Sequence, residues 1–187
     1  MDNLGACVFQ TWRPGIGDPT FLGWATVGLY VIVALLAFRV AGRAAFPIAT
    51  RNRERMFWII VVLIMAALAV NKQLDLQSAL TAAGRCMAKA QGWYETRRGV
   101  QKDFLIALAG MAALFMVVML VLLRGTWRRT GLAVIGLAFV CGFVLMRAVG
   151  FHHFDQMLGV PIMGIRANGI LEWTGPLLIT ISGLRLL

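Results

Sequence analysis

Acidic residues are scarce in this chain, and so are most residues that usually carry chemistry. Its 187 residues include 8 Asp and Glu, 2 His and 3 Cys, and its serines are Ser78 and Ser182. Catalytic zinc usually needs three protein ligands and an open position. Two histidines fall short of that, and no His-Glu-x-x-His spacing is present. No second histidine faces His153 across a helix bundle to hold a haem. Neither a metal nor a cofactor is expected. Cys7, Cys86 and Cys141 lack the paired spacing of a zinc site. A Ser-His-Asp triad is equally unsupported, because Ser182 sits deep in an apolar segment near the side opposite the histidines and Ser78 sits in a surface helix. Repeats, low-complexity tracts and linkers are also missing. One domain spanning residues 1–187 is the simplest division.

What is abundant is hydrocarbon. Hydrophobic residues make up 60% of the chain and charged ones 14%, against about 45–50% and roughly 25% in a soluble domain. That balance specifies an all-α membrane protein. The net charge of +10 would suggest nucleic acid in a soluble chain. Here the basic residues cluster in short loops between apolar runs, as membrane topology requires, and no nucleic-acid partner is expected. Leu4-Gly5-Ala6-Cys7 has the form of a lipoprotein cleavage box, but Met1 to Asn3 leave no room for a charged n-region and an apolar h-region. Lipidation of Cys7 is not expected, and the first apolar segment should be retained.

Five transmembrane helices and one amphipathic surface helix account for the chain. Residues 1–20 contain Pro14, Gly15, Gly17 and Pro19, which argue against a regular element. The spans fall at about 21–38, 56–75, 104–123, 130–150 and 168–187, and the first should be mostly scaffold. Between the second and third, Leu76, Leu80, Ala83, Met87 and Ala90 recur at helical spacing over residues 76–91. That pattern suits a helix lying on the membrane surface or capping the bundle. The loop after span one carries Arg39, Arg43, Arg51, Arg53 and Arg55, and the turn after span three carries Arg124, Arg128 and Arg129. By the positive-inside rule both face the cytoplasm. The N-terminus is then outside and the C-terminus cytoplasmic, although Arg85, Lys89, Arg97, Arg98 and Lys102 make the outer side basic too.

The stretch Asn71-Lys72-Gln73-Leu74-Asp75-Leu76-Gln77 follows fifteen apolar residues and turns polar in one step. With a rise of about 1.5 Å per residue, Asn71 lies about 24 Å beyond Arg55, Arg147 about 25 Å beyond Thr130 and Glu172 about 22 Å before Leu187. Three helices thus bring polar groups to one level near the outer face. A charge in hydrocarbon is costly, by at least ~2.5–3.5 kcal/mol on insertion scales, so Arg147 and Glu172 should point inward and find partners. The expected pairs are Arg147 with Glu172, and Lys72 with Asp75. Asn71 and Asn168 share faces with Asp75 and Glu172, and His152, His153 and Asp155 should close the site. The cluster is open to three readings: a structural lock, a ligand pocket, or side chains that snorkel independently to the headgroups. Cys7 and Cys86 share the oxidising side on this topology, which leaves a disulfide open to them.

Residues 71–77, Gly-Trp-Tyr-Glu (92–95), Arg-Ala-Val-Gly-Phe-His-His-Phe-Asp (147–155) and Asn-Gly-Ile-Leu-Glu-Trp (168–173) together resemble a group of small bacterial polytopic membrane proteins. Some of these carry the name isopropylmalate isomerase, a soluble iron–sulfur enzyme that the hydropathy and cysteine spacing here contradict. The resemblance implies a bacterial inner membrane rather than an activity. Ceramidase-like membrane hydrolases are similar only in placing His and Asp near a membrane face, and they use more spans and more histidines. The expected function is a non-catalytic accessory or binding protein whose polar cluster fixes the bundle or holds a polar or headgroup ligand. Membrane lipids, other subunits of a membrane complex or further copies of the chain are its candidate partners. The alternative is a hydrolase or transferase acting on a lipid-linked substrate, with Asp75 or His153 as general base and Arg147 or Lys72 clamping an anionic group.

Overall fold

A computed structural model of the chain describes residues 2–149, 161–162 and 165–187. Within them the fold is all-helical apart from a two-residue ladder. Helix α1 spans Asp2–Thr11, α2 Phe21–Arg43, α3 Arg51–Leu74 and α4 Leu76–Ala90; α5 spans Arg97–Leu122 and α6 Trp127–Val149. Strands β1 (Pro161–Ile162) and β2 (Ile165–Arg166) pair antiparallel and lead into helix α7, Ala167–Leu184.

Among the described residues four helices are long and apolar enough to cross a membrane: α2, α3, α5 from Gly99 and α6 to Arg147, with mean hydropathies of 2.2, 2.0, 2.9 and 2.0. Helix α7 is apolar but shorter. Most of these helices run past the apolar segments that announce them. Helix α2 continues to Arg43 and α3 begins at Arg51, because arginine is a good helix former and its charged end reaches water from the flank of a span.

Helix α2 lies against α3, α6 lies against α7, and α7 joins the two pairs by packing on α2. The core between them is made by Val33, Ala37 and Val40 of α2, Phe57, Trp58, Val61 and Met65 of α3, Ala133 and Leu137 of α6, and Ile179 of α7. Helices α6 and α7 approach closely where two glycines meet. A Cβ on either Gly136 or Gly175 would stand 2.7 Å from the carbonyl oxygen of the other. Small residues let membrane helices gain packing that the hydrophobic effect cannot supply between helices in lipid. Helix α5 leans chiefly on α6. Among its described residues only Met119 is buried.

The bundle is pinned at the basic end. Glu54 is fully buried, and Arg129 grips it with two hydrogen bonds, Nε to Oε2 at 3.1 Å and a terminal nitrogen to Oε1 at 2.6 Å. The Thr50 hydroxyl donates to the same carboxylate at 2.6 Å, and Ser182 Oγ donates to the Arg129 carbonyl at 3.3 Å. This forked pair ties the starts of α3 and α6 to the end of α7. Fork geometry is the strongest form of an ion pair, and the lone acid of an arginine-rich loop is used to make it.

The first twenty residues depart from expectation. Residues Asp2–Thr11 are helical, and the glycines and prolines that argue against order all come later. Ten residues are too few for a helix to persist alone in water. Here α1 packs along α4, and the Cys7–Cys86 disulfide joins the two. The segment after it folds back over the α3–α4 junction. Trp12 Nε1 donates to the Leu74 carbonyl at 3.2 Å, and the Gly17 amide donates to the Gln73 carbonyl at 2.6 Å.

Candidate functional site

The polar end of the bundle is built where α3 stops. Asp75 takes left-handed backbone angles, φ 47° and ψ 50°, a conformation that Asp and Asn tolerate better than most residues. Its amide donates to the Asn71 carbonyl at 2.9 Å. The turn sends the chain from the bundle axis into α4.

Just below it, Lys72 reaches across the bundle. Its Nζ lies 3.2 Å from Glu172 Oε2 on α7 and 3.3 Å from Asp18 Oδ2 in the segment that precedes α2. Tyr30 of α2 donates its hydroxyl to the other Glu172 oxygen at 3.2 Å. Glu172 is 7% exposed and Lys72 14%, so both carboxylate oxygens of Glu172 are satisfied in a nearly closed setting. Next to Glu172 on α7, Trp173 Nε1 donates to Thr26 Oγ1, one turn before Tyr30 on α2, at 2.8 Å. Asp18 is itself held by Thr20, whose hydroxyl donates to Oδ1 at 2.6 Å. That bond holds its carboxyl below the usual value of 3.8; burial opposes it, and Lys72 adds to the lowering. Asp18 also lies over Gly23, where any side chain would collide with it.

These groups line a cavity of about 590 Å³. Its polar lining is Asp18, Tyr30, Asn71, Lys72, Asp75, Arg147 and Glu172. Its walls are apolar and come from four helices: Leu68 of α3, Leu80 of α4, Phe104 and Leu108 of α5, and Phe143 and Val144 of α6 are examples. Pockets of ~300–1,000 Å³ with apolar walls and a few convergent polar groups are the usual form of a small-molecule site.

Of the residues singled out in the sequence, Asn71, Lys72, Asp75, Arg147 and Glu172 all line this one cavity. The expected pairings do not form. Glu172 takes Lys72 rather than Arg147, and Lys72 takes Asp18 rather than Asp75. Asp75 is the left-handed turn residue that ends α3, and its carboxylate forms no ion pair among the described residues. Arg147 is exposed and makes no ion pair or hydrogen bond among the described residues. It stands in the last turn of α6, where a long side chain can reach the cavity and its mouth without a buried partner. His152, His153 and Asp155 lie outside the described residues, as does the side chain of Asn168 in α7. Among the described residues no group of three His, Cys, Asp or Glu is placed to hold a metal ion.

Two members of the cluster were not foreseen from the sequence. Asp18 sits in a glycine- and proline-rich stretch that reads as a simple tail, and Tyr30 is a single hydroxyl in a scaffold-like span. An acid immediately before the first span, within reach of a lysine at the same membrane level, was the available signal for Asp18. No family model matches the chain, and no curated protein or solved structure is similar to it.

Proposed function

We propose that this is a non-catalytic binding protein of a bacterial inner membrane, holding a small polar or lipid-headgroup ligand in the cavity at the outer end of its bundle. The observation that carries the proposal is the cavity itself. Apolar walls lead to a polar end where Lys72, Glu172, Tyr30 and Asp18 satisfy one another. Arg147 lines the same space with no partner among the described residues. A purely structural lock would bury its charges in closed pairs and leave no open volume beside them. Among the described residues the lining contains no serine, threonine, cysteine or histidine, so within them the hydrolase alternative rests on Asp75 as general base.

On this reading the chain crosses the membrane five times. Helix α7 has 18 residues, about 27 Å at the helical rise, close to the ~30 Å of hydrocarbon. Its proline, Pro176, is tolerable in a membrane helix packed against neighbours. Helix α4 rests on the surface, with Leu76, Leu80 and Met87 exposed along it and Ala82 and Cys86 buried. The cavity end is the outer face. A Cys7–Cys86 disulfide belongs in an oxidising compartment, and the arginine-rich loops lie at the other end of the spans, so the N-terminus is outside and the C-terminus cytoplasmic.

Mass spectrometry of small molecules that co-purify with the detergent-extracted protein tests the proposal. The wild type should carry a bound species that Arg147→Ala loses while its melting temperature stays within a few degrees. An empty wild type, together with an Arg147→Ala protein that melts far lower, would make the cluster a structural pin.

A further inference from the structure

Five charged side chains line the cavity: Asp18, Lys72, Asp75, Arg147 and Glu172. Lys72 is already committed, since its Nζ lies between Asp18 and Glu172 at 3.3 and 3.2 Å. The second oxygen of Glu172 takes the Tyr30 hydroxyl. That group of three charges is closed on itself and carries a net charge of −1. What remains is one charge of each sign, Arg147 and Asp75, neither of them ion-paired among the described residues.

Resting on the reading of this cavity as a binding site, we propose that its occupant is a phospholipid whose headgroup carries a phosphodiester and a primary ammonium, the phosphodiester on Arg147 and the ammonium on Asp75. A purely apolar occupant would cover both free charges and compensate neither, which is costly. A phosphomonoester, close to a dianion at neutral pH, would meet one free cation beside three carboxylates. A phosphodiester without an amine satisfies Arg147 and strips water from Asp75 without replacing it. A carboxylate accepts hydrogen bonds only, so Asp75 suits a primary ammonium better than a quaternary one. The guanidinium of Arg147 matches two phosphate oxygens at once.

The apolar walls suit the upper part of the acyl chains, and about 590 Å³ holds a headgroup and the chain segments beside it rather than a whole lipid. Phe104 and Leu108 form the wall on α5, the helix that leans chiefly on α6. A chain can leave past that wall into the bilayer without displacing a packed core. Free phosphoethanolamine would satisfy the same two charges but leave the walls uncovered, so the lipid-linked form is the one proposed.

The full-length protein in detergent, presented with equimolar phosphatidylethanolamine, phosphatidylglycerol and phosphatidylcholine of identical chains, gives the test by native mass spectrometry. Phosphatidylethanolamine should be retained preferentially. Arg147→Gln should reduce retention of all three by about tenfold, the scale of one lost charge contact. Asp75→Asn keeps the left-handed turn, because Asn also tolerates it. It should leave total retention in place and bring the ethanolamine-to-glycerol ratio to about one. An unchanged ratio in Asp75→Asn, or a wild-type preference for phosphatidylglycerol or phosphatidylcholine, overturns the headgroup assignment alone. Retention of none of the three, with soluble phosphoethanolamine bound instead, overturns the lipid assignment and keeps the site. Binding of neither overturns the site as well. Should Arg147→Gln fail to fold, Leu108→Trp fills the cavity from the loosely packed helix. It too should cut lipid retention, and an unchanged level there counts against the proposal.

Discussion

Reducing the Cys7–Cys86 disulfide should release α1 and the segment behind it while leaving the bundle intact. The size of the effect follows from the loop that the disulfide closes. The two cysteines are 79 residues apart, and a free loop of that length implies about 4.5 kcal/mol of stabilisation in the chain-entropy model. Most of those residues are not free. Helices α2 and α3 pack as a pair and return the chain to the end where it started, so the flexible part is only residues 8–20 and the first turns of α4. A loop of roughly 26 residues gives about 3.5 kcal/mol, or a factor of several hundred in local opening. Hydrogen exchange in detergent, with and without reductant, reads this directly. The amides of α1 and Gly17 should lose most of their protection, by a factor of 100 or more. Those of α2 and α3 should change little. The Gly17–Gln73 and Trp12–Leu74 hydrogen bonds and the Asp18–Lys72 pair remain to hold the segment partly in place, and they set a floor to the loss. Equal deprotection of α1 and the core would refute the reasoning, since it would mean that the disulfide holds the bundle itself. Quantitative alkylation of Cys7 and Cys86 in unreduced protein would refute the pairing.

At the basic end, Glu54→Gln should lower stability by about 2–4 kcal/mol, somewhat less than the ~3–5 kcal/mol for breaking a fully buried pair, because Arg129 is about one third exposed. Replacing both Glu54 and Arg129 by leucine should recover most of that loss in detergent melting curves. Gly136→Ala should cost about 1–3 kcal/mol, because the new Cβ meets the Gly175 carbonyl and forces α6 and α7 apart; the same melting assay checks it. Tyr30→Phe removes one donor from the buried Glu172 carboxylate and should cost about 1–3 kcal/mol, while Tyr30→Trp, which adds bulk at the cavity, should also displace any bound ligand. Asp18 has a lowered pKa in the folded protein. Its contribution to docking is therefore fully present above the unfolded carboxylate range near 3.8 and is lost as pH falls through the lower folded value. Gly17 exchange protection, corrected for intrinsic rate, should be flat from neutral pH down to that range and fall below it, and Asp18→Asn should abolish the fall.

The apolar runs of this sequence specify helices because a single segment in hydrocarbon can satisfy its own backbone hydrogen bonds only as a helix. The run from Met56 to Val70 and the abrupt change at Asn71 located both a span and the level of the cavity. The same reasoning underestimated the ends. Arginines at Arg43, Arg51 and Arg53 extend α2 and α3 beyond the apolar segments because their side chains reach water while their backbones stay helical. It also missed order in Asp2–Thr11, where the stabilising contacts are with α4, a partner about eighty residues away, and so leave no local trace. Cys7 and Cys86 were legible as a pair that topology permits, but pairing needs a particular distance and direction as well as a shared compartment.

By itself the sequence determined which segments are apolar helices and how far along its helix each polar group lies, since both follow from hydropathy and a constant rise per residue. Only the tertiary structure decided which of those groups meet. Depth ranks Arg147, Lys72 and Glu172 together, but contact across a bundle also depends on each helix's rotation about its axis and on which helices are neighbours. Helix α7 packs between α2 and α6, so Glu172 faces Tyr30 and Lys72. The returning N-terminal segment brings Asp18 to the far side of Lys72. That leaves Arg147 and Asp75 beside an open volume rather than in a closed pair, and the physical reason is geometric: a charge satisfied by one neighbour is no longer available to another at the same level.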